Sequence, residues 1–290
     1  MTTINQTMDT IIKKSAENIT RAPDDYLING LLYCGKCGAA KQVRVTILGE
    51  IKTPFCKCKC EQEKQKSEEL MILQRQQNAY KKQVFKEYKF LNCTFSQDDL
   101  SNEKISNAAR NFVKNYDKFA ADGKGLLLYG PVGTGKTFLA AAILNELINI
   151  KYTGKRTIST GQIANFQCLF TDFPTIINKI QSTFNKKEEY FKNLNSNDLL
   201  VIDDLGVERD TEYASEIVQT VINNRYNVKK PLILTTNLTF SELAKPTDLK
   251  KQRIYGRILE MCIPVQVNGV NRRHEKLKNS YSKYKDLLGL

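Results

Sequence analysis

The sequence predicts an α/β protein built on a parallel sheet between helices, preceded by a small cysteine-rich module and a charged linker helix. Three observations carry this. Residues Gly130 to Thr137 read Gly-Pro-Val-Gly-Thr-Gly-Lys-Thr, a complete phosphate-binding loop between the apolar run 125–129 and the helix-like 138–144. Two further apolar runs, 199–202 and 231–234, stop at Asp203-Asp204 and at Thr235-Thr236-Asn237, as buried parallel strands do where their carboxyl ends reach a ligand crevice. Five of the eight cysteines fall between Cys34 and Cys60. These features divide the chain into a module over 1–60, a linker over 61–90, an α/β domain over 91–275 and a basic tail over 276–290.

In the module, Cys34-Gly35-Lys36-Cys37-Gly38 has the form of a knuckle that aims two thiolates at one tetrahedral ion, and Cys56-Lys57-Cys58-Lys59-Cys60 must supply two more. Cys56, Cys58 and Cys60 compete for those places. The expected set is Cys34, Cys37, Cys58 and Cys60, with Cys56 spare, holding a structural Zn²⁺; a redox Cys-x-x-Cys and an Fe–S cluster are the alternatives. Pro54 and the extended 43–48 suggest a ribbon that returns the chain to the metal. The linker, rich in Gln, Lys and Glu and free of Gly and Pro, reads as a helix whose apolar positions Leu70, Leu73, Tyr80, Val84 and Tyr88 follow only a rough stripe.

In the α/β domain, the loop Gly130, Pro131, Val132, Gly133, Thr134, Gly135, Lys136 and Thr137 predicts binding of ATP or GTP. Its glycines let successive N–H groups turn to the phosphates, Lys136 reaches the β/γ-phosphates and the Thr137 hydroxyl holds Mg²⁺. Asp203 belongs beside that Mg²⁺, and Asp204 where it can orient or activate a water. Asn237 stands at the same edge, positioned for that water or the γ-phosphate, although a turn-forming Asn is the plainer reading. Helices are expected after Asp172-Phe173-Pro174, behind a strand at 166–170, and over 211–226. Residues 151–165 form an insertion. Cys93, Cys168 and Cys262 read as small core residues.

Arginines cluster near the C-terminus: Arg253 and Arg257, then Arg272 and Arg273. Each could serve a phosphoryl group, contact DNA or be solvated. The formal charge of +13 is uneven: residues 1–90 carry 16 Lys/Arg against 10 Asp/Glu, residues 91–240 carry 17 against 16, and residues 241–290 carry 11 against 5. Basic ends suit nucleic acid, and Tyr281 and Tyr284 could stack on bases. No stretch approaches the length of about 18 apolar residues needed to span a membrane, and no secretory leader is read, so a cytoplasmic location without membrane contact is the expectation.

The order of these motifs, from the cysteine module through Val201-Ile202-Asp203-Asp204-Leu205-Gly206 and Thr235-Thr236-Asn237-Leu238 to Arg253-Ile254-Tyr255-Gly256-Arg257-Ile258, resembles bacterial and phage replicative-helicase loaders of the DnaC/DnaI type. These are AAA+ ATPases related to the IstB-type transposition helpers. The resemblance spans Cys34 to Arg273. It implies an AAA+ P-loop NTPase with a five-stranded parallel sheet, in which Gly130 to Thr137 is the Walker A loop, Asp203 and Asp204 the Walker B pair and Asn237 sensor 1. Arg253 resembles an arginine finger reaching a neighbour's ATP, and Arg273 a sensor 2 arginine acting in its own subunit. Asp204 stands where many such proteins have Glu, one methylene longer, which implies slow turnover.

The function so implied is loading of a hexameric replicative DNA helicase onto single-stranded DNA through an ATP/ADP switch, with hydrolysis at the subunit interfaces of an ATP-dependent homo-oligomer. The zinc-bearing region would contact the helicase. The alternatives are a transposition helper acting on duplex DNA and a DNA-binding adaptor that uses ATP as a structural ligand.

Overall fold

The computed structural model describes residues 21–47, 49–99, 101–154, 165–183, 186–207 and 211–288. Most of the 151–165 insertion, and the first twenty residues of the module, lie outside them. The chain falls into two compact units that part between Arg75 and Gln76.

The first unit holds two antiparallel hairpins, β1 (Tyr26–Ile28) with β2 (Leu31–Tyr33) and β3 (Val45–Ile47) with β4 (Glu50–Lys52). Asn29-Gly30, with φ of 51° and 77°, supplies the two left-handed residues that a tight hairpin turn requires. Helix α1 (Lys59–Val84) begins here and runs past the division, covering most of the expected 61–90 linker. The apolar core is small among the described residues: Leu32, Cys34 and Cys58 are its buried members, which leaves little but a metal or buried polar bonds to hold the unit.

The second unit is organised by a five-stranded sheet whose strands lie in the order 168–172, 199–205, 232–236, 125–129 and 262–266, every neighbouring pair parallel. Its strands are β5 (Gly125–Tyr129), β6 (Cys168–Asp172), β7 (Leu199–Leu205), β8 (Leu232–Thr236) and β9 (Cys262–Gln266). Side chains alternate between two cores. Leu126, Leu128, Val201 and Ile233 face one; Leu127, Leu200, Ile202, Leu232 and Leu234 face the other. Burial on both faces is why these strands read as unbroken apolar runs.

On the first face lie the end of α1, a 3₁₀ turn (Tyr88–Asn92), α2 (Glu103–Lys114), α3 (Tyr116–Ala121) and α4 (Lys136–Lys151). The buried amide of Asn145 fixes the 3₁₀ turn by donating to Phe90 O and Cys93 O, both at 2.8 Å. On the second face lie α5 (Phe173–Ser182), α6 (Lys187–Ser196), α7 (Glu212–Val228), α8 (Phe240–Ala244) and α9 (Leu249–Met261). Asp172 caps α5, accepting from Thr175 N at 2.6 Å, with a proline in the first turn. Helix α10 (Arg272–Leu288) follows β9 and takes in most of the basic tail.

The second strand starts two residues later than the apolar pattern suggested. Phe166 is buried, but the ladder begins only where Cys168 pairs with Leu199. The fifth strand, Cys-Ile-Pro-Val-Gln, carries Pro264 and gives no strand signal; at the sheet edge that proline sacrifices no ladder bond on the open side. Of the three single cysteines, Cys168 and Cys262 are buried at 5% and 1% exposure, while Cys93 is half-buried.

Arg225 is the largest fully buried side chain among the described residues. Its guanidinium donates to the carbonyls of Asn195 (3.3 Å), Asn197 (2.7 Å), Asp198 (3.2 Å) and Pro231 (2.5 Å), tying together the turns that enter β7 and β8. Burial pulls its pKa down to about 10, so it stays a cation at neutral pH, its two terminal nitrogens held by carbonyl dipoles while the buried Nε has no hydrogen-bond partner.

Candidate nucleotide site and cysteine cluster

The chain leaves β5 for the far edge at β6, works back through β7 and β8 to pair with β5, and closes the other side with β9. Ligands of such sheets sit at the carboxyl ends of the strands, where this connectivity opens a crevice. Here the crevice is a cleft of about 540 Å³ reaching from Gln97 and Asp99, past the phosphate loop, to Asp204, Asn237 and Arg273.

The loop needs its glycines. Gly133 has φ 83°, and a Cβ there would lie 2.1 Å from Asn271 Oδ1; a Cβ at Gly130, φ 143°, would lie 2.5 Å from the Val267 carbonyl oxygen. The loop is therefore clasped by the segment that leads into α10, to which Gly133 O is also bonded through Arg272 N at 3.1 Å. At the start of α4, the Lys136 ammonium donates to Gly130 O (2.8 Å), Pro131 O (2.7 Å) and Asn237 Oδ1 (2.8 Å). Lys136 is 5% exposed, and burial lowers its pKa although Asp204 and Asp203 pull the other way.

Thr137 Oγ1 donates to Asp203 Oδ1 at 2.9 Å, and Thr235 Oγ1 donates to the same oxygen at 2.5 Å. Burial raises the Asp203 pKa, the Thr235 bond opposes it, and the neighbouring Asp204 charge adds to the rise. A hydroxyl beside a carboxylate is a hard-oxygen pair that fits Mg²⁺. Asp204 lies in the left-handed region, φ 52°, at a register shift between Ile202 and Leu205, and its N–H donates to Thr235 Oγ1 at 2.9 Å.

Arg273 lines the cleft and lies close enough to Lys136 to depress its pKa. Asn271 Oδ1 accepts from Arg273 N (3.1 Å) and His274 N (3.3 Å), fixing the turn on which Arg273 stands. Arg253 is exposed on α9 and is not among the residues lining this cleft. Two features gave no sequence signal. Arg272 is held by Asp99 Oδ1 at 2.9 Å and Ser101 Oγ at 2.7 Å, joining the segment before α2 to the start of α10. Thr235 bonds both acidic residues, and nothing but its place at the polar end of an apolar strand hinted at this.

In the first unit the Sγ atoms of Cys34, Cys37, Cys58 and Cys60 all lie within 4.8 Å of one another, with Cys34 to Cys60 at 3.5 Å and Cys58 to Cys60 at 3.2 Å. A tetrahedral Zn²⁺ with bonds of about 2.3 Å separates its sulfurs by about 3.8 Å, so the set fits that ion. Cys56 points elsewhere, its Sγ 3.4 Å from Ala40 O. The N–H groups of Cys60 and Ala39 hold the Cys37 thiol down to about 6, favouring the thiolate that a metal needs. Behind the sulfurs, buried Lys41 bridges Asp25 (2.8 Å) and Glu61 (3.0 Å). Those carboxylates accept from Gly35 N (3.2 Å) and Cys58 N (3.2 Å), one in each half of the cluster.

Comparison with known proteins agrees with this architecture. The chain is 27% identical over 216 residues to the replicative helicase loader DnaI of Bacillus subtilis (strain 168), which covers 69% of this chain and 65% of that protein. It is 30% identical over 174 residues to the replicative helicase loader DnaC of Escherichia coli (strain K12), covering 58% and 63%. The chain thus spans a little under two thirds of the length of these relatives. Among solved structures, that of the DnaC helicase loader superposes with a TM-score of 0.51 at 27% identity, over 63% of this chain and 100% of that one. A crystal structure of DnaI gives 0.50 at 25% identity, over 64% and 93%. The fold is the AAA+ α/β arrangement. The model of the IstB-like ATP-binding proteins matches residues 61–280, and the chain belongs to that family.

Proposed function

We propose that this protein loads a hexameric replicative DNA helicase onto single-stranded DNA, and that ATP binding and hydrolysis switch it between helicase-bound and released states. The observation that carries the nucleotide chemistry is the convergence of Lys136, Asp204, Asn237 and Arg273, from four separate elements, on one cleft beside the phosphate loop, with Asp203 bonded to Thr137 of that loop. The helicase reading draws on the likeness to DnaI and DnaC.

In this reading the phosphates of ATP lie along Gly130 to Thr137, with Lys136 against the β/γ-phosphates. Thr137 and Asp203 hold Mg²⁺, which neutralises charge on the phosphates. Asp204 orients a water and takes up its proton as the water oxygen bonds to the γ-phosphorus. The bond to the β/γ-bridging oxygen breaks, and ADP and phosphate leave. Asn237 positions the water or the γ-phosphate, Arg273 acts within the subunit, and exposed Arg253 reaches the cleft of a neighbour in a homo-oligomer. The carboxylate of Asp204, one methylene shorter than Glu, gives slow turnover, which suits a switch. Residues 91–275 supply the ATPase, and Cys34, Cys37, Cys58 and Cys60 hold a structural Zn²⁺ in the module that meets the helicase. No described helix is long and apolar enough to cross a membrane.

The test is light scattering after size exclusion of this protein mixed with its host's replicative helicase, in ATP and in ADP. A complex whose stoichiometry changes with nucleotide supports loading. No complex in either state, together with a preference for duplex over single-stranded DNA, would move the assignment to a transposition helper.

A further inference from the structure

We infer that Thr235 is a positioning residue that sets both Asp203 and Asp204 through a single hydroxyl, the first at its carboxylate and the second at its backbone N–H, so that hydrolysis depends on an atom that need not touch the nucleotide. The inference rests on the nucleotide reading above and concerns the geometry of that site.

A threonine hydroxyl has one hydrogen and two lone pairs. At Thr235 the hydrogen goes to Asp203 Oδ1 at 2.5 Å, and a lone pair accepts the Asp204 N–H at 2.9 Å. The side chain is wholly buried, so water cannot replace either bond. Its partners sit at the irregular end of β7, where pairing with β8 shifts between Ile202 and Leu205 and Asp204 takes φ 52°. A residue without glycine's freedom holds such a conformation only where its surroundings over-determine it.

The next residue completes the grip. Thr236 Oγ1 donates to Leu205 O at 2.7 Å and accepts from Leu238 N at 3.1 Å. Two adjacent hydroxyls at the end of β8 therefore pin β7 at Asp203, at Asp204 itself and at Leu205, which follows it. Asp203 Oδ1, meanwhile, is shared between Thr235 and Thr137. Loss of the Thr235 hydroxyl leaves the Asp204 amide without this partner and lets Asp203 turn about its remaining bond. Catalysis is sensitive to such displacement: a shift of about 1 Å costs on the order of a hundredfold in rate.

The experiment compares wild type, Thr235→Val and Thr235→Ser in the full chain, by single-turnover ATP hydrolysis, by titration of a fluorescent ATP analogue with magnesium, and by thermal melting. Valine keeps the shape and removes the hydroxyl; serine keeps the hydroxyl and removes the methyl. The expected result for Thr235→Val is a fall in turnover of about thirtyfold or more with nucleotide affinity within about threefold of wild type at saturating magnesium, and for Thr235→Ser a rate within about threefold of wild type. If Thr235→Val does not fold, Thr235→Ala carries the same comparison. A hydroxyl-free variant that hydrolyses at the wild-type rate overturns the inference, as does a serine variant equally impaired, since packing of the methyl would then be the cause. Should wild type bind nucleotide without hydrolysing it, the ATPase reading fails separately. The inference is then read from the magnesium concentration at half-saturation, which rises about fivefold or more in Thr235→Val if Asp203 is misplaced; an unchanged value overturns it.

Discussion

Lys136 Nζ lies 2.8 Å from Asn237 Oδ1, joining the start of α4 to the turn that follows β8. The same ammonium is bonded to two loop carbonyls, so its position is fixed by the protein. The two residues should separate on mutation. Lys136→Ala removes the cation facing the phosphates and should weaken ATP binding by at least about tenfold, whereas Asn237→Ala should leave binding within about threefold and lower hydrolysis on the order of a hundredfold. Equal loss of binding in both variants would mean that Asn237 serves only to hold the lysine.

Asp203 is a buried carboxylate whose pKa is raised by desolvation despite its bond from Thr235. A raised acid pKa means the folded state binds the proton more tightly than the unfolded chain, so near pH 7 the ionised side chain costs stability, and the cost is relieved as pH falls through the folded value. Asp203→Asn, which removes the charge, should raise the melting temperature of the magnesium-free protein, while abolishing the effect of magnesium on nucleotide binding. Melting curves with and without magnesium check both halves.

What the sequence disclosed followed from local signals. The phosphate loop needs glycines at fixed spacing, and doubly buried strands need unbroken apolar runs, so 125–129, 199–205 and 232–236 were readable with the polar residues at their ends. β9 was not readable, because a five-residue edge strand containing Pro264 has neither alternation nor an apolar run. Helix α2 carries a clear stripe, Ser106, Ala109, Phe112 and Val113, with Asn102 as its cap, so its signal is local as well. The Asp99–Arg272 pair bridges 173 positions and could not be found from spacing. Lys41 reads as one more surface lysine until the fold brings Asp25 and Glu61 to it.

The cysteine cluster predicts metal content and its residues. The protein should carry about one Zn²⁺ per chain, lost in Cys34→Ser or Cys37→Ser and retained in Cys56→Ala, whose Sγ faces a backbone carbonyl instead of the other thiols. Lys41→Met should weaken zinc retention against a chelator by about tenfold, the usual scale for groups that orient ligands, because Asp25 and Glu61 would be left as paired like charges. Elemental analysis and chelator competition read these directly.

Arg225 offers a stability test remote from the cleft. Four carbonyls depend on its guanidinium, and it has no exposed surface. Arg225→Met keeps the aliphatic volume but removes this donor from all four oxygens, leaving that of Asp198 with the Tyr116 hydroxyl and that of Pro231 with the Leu200 N–H, so it should destabilise the domain by about 3 kcal/mol. Arg225→Lys should recover only part of this, since one ammonium cannot reach both the turn entering β7 and the turn entering β8. Urea denaturation with unchanged m-values would confirm that the loss is in the folded state.

Arg253 decides whether the protein acts alone or as an assembly. It is exposed on α9 and is not among the residues lining its own subunit's cleft. Arg273 stands in that cleft, on the turn capped by Asn271. The two arginines should therefore differ in kind. Arg273→Ala should impair each subunit independently of its neighbours, and mixing should yield activity proportional to the wild-type fraction. Arg253→Ala should bind ATP normally yet hydrolyse it more slowly by about a thousandfold or more, the scale associated with an arginine supplied to the transition state. Mixing Arg253→Ala with Lys136→Ala should then restore part of the activity, because an intact cleft on one subunit meets an intact arginine on the next. Rescue that grows with protein concentration would place Arg253 in the neighbour's site; its absence, with both variants folded and the wild type active, would reduce Arg253 to a surface cation.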